Sequence, residues 1–93
     1  MHITFDYINI ENTNAQLEKF SLIKLQHLLI KYPFVKKTDI FFKIDTDNLN
    51  EKYCGIRIST PASRILAYSN ENEFEAAIYK TINKLDIILT SAC

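Results

Sequence analysis

Period two governs the first residues of the chain. Ile3, Phe5 and Tyr7 fall on one side of residues 2–8, and His2, Thr4 and Asp6 on the other, which predicts a half-buried strand. Asn12, Thr13 and Asn14 then offer N-caps, because their side-chain oxygens can accept from the first free N–H groups of a helix. From Ala15 to Tyr32 the period becomes helical. Leu17, Leu22, Leu25, Leu28, Leu29 and Tyr32 share one broad arc at about 100° per residue. Pro33 ends this helix, since it lacks an N–H and disfavours α geometry at the residue before it.

Alternation returns from Thr38 to Asp45, with Ile40, Phe42 and Ile44 on one face and Phe41 and Lys43 on the other. Thr46-Asp47-Asn48-Leu49-Asn50 reads as a polar loop. Tyr53 to Thr60 places Cys54, Ile56 and Ile58 on a single face, Pro61-Ala62-Ser63 makes a tight connection, and Arg64 to Ser69 is a fourth strand. Asn70 or Asn72 can cap a second helix, with Glu73 or Glu75 completing a capping box. That helix buries Phe74, Ala77, Ile78, Ile82, Leu85, Ile88 and Leu89.

The predicted order is β-α-β-β-β-α, an α+β domain spanning residues 1–93. A strand–helix–strand crossover favours parallel pairing of the first two strands, and the short later loops favour an antiparallel meander. The expectation is a four-stranded mixed sheet with two parallel helices packed on one face. At 93 residues one small domain is the limit, and with 47% hydrophobic residues, one Gly and two Pro the chain is neither disordered nor a flexible linker. No stretch reaches the roughly 18 apolar residues of a membrane span. Without a basic and apolar leader at Met1-His2-Ile3-Thr4, a cytoplasmic setting is expected.

Charge and chemistry narrow the picture further. Eleven basic side chains balance eleven acidic ones, so a grip on nucleic acid has to come from placement rather than from totals. Cys54 and Cys93 lack metal-ligand spacing and form no disulfide framework, and the single Gly excludes a Gly-rich phosphate cradle. His2 and His27 have no nucleophile arrangement nearby, and Asp45 with Asp47 reads as a solvated turn. Neither a catalytic site nor a cofactor or metal site is expected; the chain reads as a binder.

Two surfaces suit binding. On the first helix Lys24 and Lys31 lie within about 20° of each other, with His27 and Phe20 on the same flank. On the second, Lys80 and Lys84 form an i, i+4 pair, with Glu75 and Asp86 opposite. In parallel helices both lysine flanks would point to one side, as a phosphate backbone requires. The plainer reading is that one flank faces the groove between helices and meets carboxylates as ordinary surface pairs. Ile23, Ile30 and Ile87 fall outside the helical core arcs, and Phe41, Leu66 and Tyr68 on the sheet face away from the helices. If contiguous, Ile23, Ile30, Phe41 and Ile87 would form a protein-interaction or self-association surface.

Several spacings resemble the ribosome hibernation-promoting factor family, whose members are also described as ribosome-associated inhibitors. The residues that carry the likeness are Lys24-Leu25, Leu28 and Lys31-Tyr32 in the first helix, and Asp39-Ile40 at the second strand. Ala76-Ala77-Ile78, Lys84-Leu85 and Leu89 follow in the second helix. The resemblance covers the whole chain as a short, single-domain form. It implies translation inhibition by binding the small ribosomal subunit where messenger and transfer RNA pass, with Lys24, Lys31 and Lys84 at basic positions of the family. His27 stands where a lysine is common, and Ile8 where a basic residue often follows the first strand. Ile87, Thr90, Ser91, Ala92 and Cys93 replace a usually basic segment. The alternative is a protein-interaction module on the same fold that has lost ribosomal RNA binding.

Overall fold

A computed structural model describes residues 2–48 and 50–92. The elements follow in the expected order: β1 (His2–Ile8), α1 (Ala15–Lys31), β2 (Lys37–Ile44), β3 (Lys52–Ser59), β4 (Arg64–Glu71) and α2 (Phe74–Ala92). The sheet order is β1-β2-β3-β4, with β1 parallel to β2 and the remaining neighbours antiparallel. Among the described residues no helix is long and apolar enough to cross a membrane.

Register turns the alternation of each strand into two distinct faces. Phe5 lies opposite Ile40, Ile40 opposite Ile56 and Ile56 opposite Ala67, so one face is apolar across all four strands. Both helices cover it. Phe42, fully buried, is its centre, with the rings of Tyr7 at 5.4 Å, Phe74 at 5.6 Å and Phe5 at 6.2 Å. Leu25, Leu28, Ala77, Ile78, Leu85 and Leu89 close the layer from above. The helices are parallel: Lys24 meets Tyr79, Lys31 meets Asp86 and Tyr32 meets Thr90, in step along both chains.

Local chemistry explains the boundaries. Asn14 caps α1, its side chain accepting from the Leu17 N–H at 3.0 Å, and the helix stops at Lys31 with Tyr32 as C-cap, just ahead of Pro33. Asn9 takes a left-handed backbone (φ 60°) after β1, which asparagine tolerates, and its amide donates to the Ile44 carbonyl. The second helix departs from expectation. β4 runs on through Asn70 and Glu71, which pair with Tyr53 and Lys52, so Asn70 is a strand residue and not a cap. α2 instead opens at Phe74, and the Glu73 carbonyl accepts from the Ala77 N–H. Leu49, within the expected polar loop, lies outside the described residues, as does Cys93.

Two core assignments also need correction. Leu22 and Ile88, placed inside by periodicity, are exposed, because the buried arcs are narrower than a whole helical face. Ser21 and Thr81 take buried positions between the leucines instead. Ser21 donates back to the Leu17 carbonyl. The Thr81 hydroxyl lies 2.7 Å from the Ala77 carbonyl and 3.2 Å from that of Cys54, tying α2 to β3. The Ser69 hydroxyl, buried on the helix side of β4, has no hydrogen-bond partner among the described residues.

Candidate nucleic-acid interface

The groove between the helices is lined from α1 by Lys24, His27 and Lys31 and from α2 by Tyr79, Asn83 and Asp86, around a depression of about 270 Å³. One rim is basic and the other carries a carboxylate. Lys31 donates to both oxygens of Asp86, at 2.9 and 3.1 Å, and the Tyr32 hydroxyl donates to the same carboxylate. These hydrogen bonds hold the Asp86 carboxyl below its ordinary range, the lysine contributing most, and hold the Lys31 ammonium above its own. Lys24 has no carboxylate partner among the described residues. Its ammonium lies 5.6 Å from the Phe20 ring and 6.0 Å from that of Tyr79, a cation over two aromatic faces.

Lys80 and Lys84 stand elsewhere. Lys80 pairs with Glu71 at 3.2 Å, and Lys84 donates to the Tyr68 carbonyl at 2.9 Å, so both lean from α2 towards β4. The expected single stripe is therefore two groups: Lys24, His27 and Lys31 along the groove, Lys80 and Lys84 on the β4 side of α2. The cause is the rotation of α2, which turns Tyr79, Asn83 and Asp86 towards α1 and leaves positions one residue on about 100° further round. Of the four lysines, Lys31 meets Asp86 of the other helix across the groove and Lys80 meets Glu71 at the end of β4. Lys24 and Lys84 have no carboxylate partner among the described residues.

The four residues expected to form a protein-interaction surface also separate. Ile23 and Ile30 are exposed on α1. Ile87 is exposed beside Leu66 and Tyr68 at the β4 edge, and Leu66 and Tyr68 in turn adjoin Phe41 on the open side of the sheet. Phe41 and Ile87 thus belong to one band that wraps around β4.

Sequence reasoning passed over the polar structure of that open side. Asp39, almost fully buried, accepts from the Thr4 hydroxyl and from Arg57 Nε and Nη2 at 3.1 and 2.9 Å, with Lys37 at 3.8 Å. The Thr4 hydrogen bond is the main reason its carboxyl is held below the ordinary range; Arg57 and Lys37 add to it. The signal was available, since residues one position out of phase with Ile40, Ile56 and Ile58 must share the opposite face. Cys54 is inert: burial pushes its thiol up to about 12. Among the described residues no three His, Cys, Asp or Glu side chains gather as metal ligands.

The α+β fold recurs in solved structures. A ribosomal subunit interface protein from Coxiella burnetii superposes with a TM-score of 0.88 at 20% identity, over 99% of this chain and 97% of that one. The N-terminal domain of Thermus thermophilus Protein Y gives 0.82 at 16% identity, covering both chains completely. At such identities the likeness is one of fold. No family model and no curated protein matches the chain.

Proposed function

We propose that this chain is a ribosome-associated translation inhibitor that binds the small ribosomal subunit, at the cleft where messenger and transfer RNA pass, through its basic helix flanks. The observation that carries the reading is the superposition, over essentially the whole chain, on a protein named for the ribosomal subunit interface. The family-like spacing of Lys24, Lys31 and Lys84 supports it. Such a protein acts in the cytoplasm by occupancy, without catalysis and without a cofactor.

The placement of the lysines specifies how the grip works. Lys24 and Lys84 are charged and have no acid to leave, so they meet phosphates directly. Lys31 and Lys80 must exchange Asp86 and Glu71 for phosphate, which makes them weaker contributors. His27 adds a donor on the groove rim. Binding therefore draws on few released counterions, and it is weaker and less salt-sensitive than a fully basic surface would be.

Sucrose-gradient co-sedimentation with purified small subunits at low and moderate salt tests the reading. The wild-type chain is expected to travel with the subunit at low salt, and Lys24→Glu combined with Lys84→Glu to remain at the top. A wild-type chain that stays at the top at low salt contradicts the proposal.

A further inference from the structure

We infer that the open face of the sheet is a second binding site, independent of the helix flanks, that stacks the unpaired bases of single-stranded RNA. The two faces of the sheet differ in kind. Out of phase with the core, the strands present Phe41, Tyr53 and Tyr68 across β2, β3 and β4, with Leu66 beside them. Tyr68 is 65% exposed and Leu66 55%, far more than a structural role demands. Together with Ile8, Lys43 and Arg57 these side chains line a depression of about 410 Å³.

Each ring of the pair Phe41 and Tyr53 has a cation over it. The Arg57 guanidinium lies 5.4 Å from the Phe41 centroid and the Lys43 ammonium 5.5 Å from that of Tyr53. Arg57 is held in place by Asp39 beneath it, so its planar group is set before any ligand arrives. Aromatic faces with fixed cations are what base stacking and phosphate contact require together.

The unmatched cations select the occupant. The strands of this face carry Lys37, Lys43, Arg57 and Arg64 against Asp6 and Asp39, with Glu51, which accepts from the Tyr53 hydroxyl at 2.9 Å, and Asp45 at the Tyr53 end. Lys43 and Arg64 have no carboxylate partner among the described residues and lie at opposite ends of the face, about 20 Å apart along the strands. An anionic backbone can run between them. An added strand is discouraged, since the Tyr68 carbonyl of the edge strand already accepts from Lys84.

The only glycine of the chain sharpens the inference. Gly55 sits directly between Phe41 and Tyr68 in the register, with ordinary negative φ. A Cβ placed there would meet Phe41 Cδ2 at 3.5 Å and the Tyr68 Cβ at 3.7 Å, which is normal van der Waals contact. The fold does not require glycine at this position, and a strand interior ordinarily disfavours it. What its bare backbone provides is a floor between Phe41 and Tyr68, where a side chain would stand in the way of a planar base.

Fluorescence anisotropy of a labelled short oligoadenylate, with Gly55→Val and with Phe41→Ala plus Tyr68→Ala, tests this. The wild-type chain should bind the single strand at low salt and prefer it to a duplex of equal length. Gly55→Val should keep or raise the melting temperature while weakening the oligonucleotide on the order of tenfold or more, and so should loss of the rings weaken it. Four results would overturn the site: no binding at low salt, equal binding of duplex, unchanged binding by a folded Gly55→Val, or a dimer in light scattering that Gly55→Val dissolves. Small-subunit binding that survives any of these leaves the helix-flank reading standing. Oligonucleotide binding lost with Lys24→Glu but kept with Gly55→Val assigns it to the groove instead.

Discussion

The two faces of the sheet use the same kind of side chain to opposite ends. Under the helices Phe5, Tyr7, Phe42 and Phe74 pack ring against ring in one cluster. On the open face Phe41 and Tyr53 each lie under a cation, and Tyr68 is mostly exposed. Removing apolar area from water is what holds this small domain together, so the first set belongs to stability. In the second set Phe41 and Tyr53 are half-buried and Tyr68 is exposed, with charge beside them. We assign the second set to recognition, and the contrast lets stability and binding be separated by substitution.

The sharpest way to break the contrast is at its centre. Phe42→Ala should destabilise by about 3–5 kcal/mol in urea unfolding, enough to threaten folding of so small a domain, whereas Tyr68→Ala should change stability by about 0.5 kcal/mol or less. Equal costs at the two positions would erase the distinction between the faces.

At Asp39 the open face also supports the fold, and its effect should come next in size. Its carboxyl titrates below the unfolded value of about 4, chiefly because of the Thr4 hydroxyl and then Arg57. Such a group contributes stability that is complete above that value and disappears as pH falls through the lower folded-state value. Asp39→Asn should therefore cost about 1–3 kcal/mol at pH 7 and flatten the decline of stability below about pH 4. Thermal melts across that range check both parts.

The smallest effect has the opposite sign. Ser69 places a hydroxyl without a partner in the core, and Ser69→Ala should stabilise by about 1 kcal/mol, read as a raised urea midpoint with an unchanged slope. A loss of stability there would reveal a partner for the hydroxyl that the helix-side packing does not account for.

Much of the fold was legible in the chain because local signals agreed with tertiary ones. Pro33 ended α1 where Tyr32 caps it, and the alternation of β2 and β3 assigned Ile40, Phe42, Cys54, Ile56 and Ile58 to the buried side. The start of α2 was less legible, because Asn70 and Glu71 carry cap-like chemistry and yet find ladder partners in β3. The site was harder still. Periodicity states which lysines share a flank of one helix, but not how one helix is rotated against the other. Asp86 was assigned to the flank away from Lys80 and Lys84, and that is the side α2 turns towards Lys31. Ion pairing across elements depends on this rotation and not on the spacing of charges within one helix.

The salt dependence of small-subunit affinity probes the proposed function most directly. Two unmatched lysines, with Lys31 and Lys80 exchanging partners, predict that log affinity falls against log salt with a slope of about −1.5 to −3. Affinity indifferent to salt would mean that phosphates are not what the helix flanks hold, and would contradict the account.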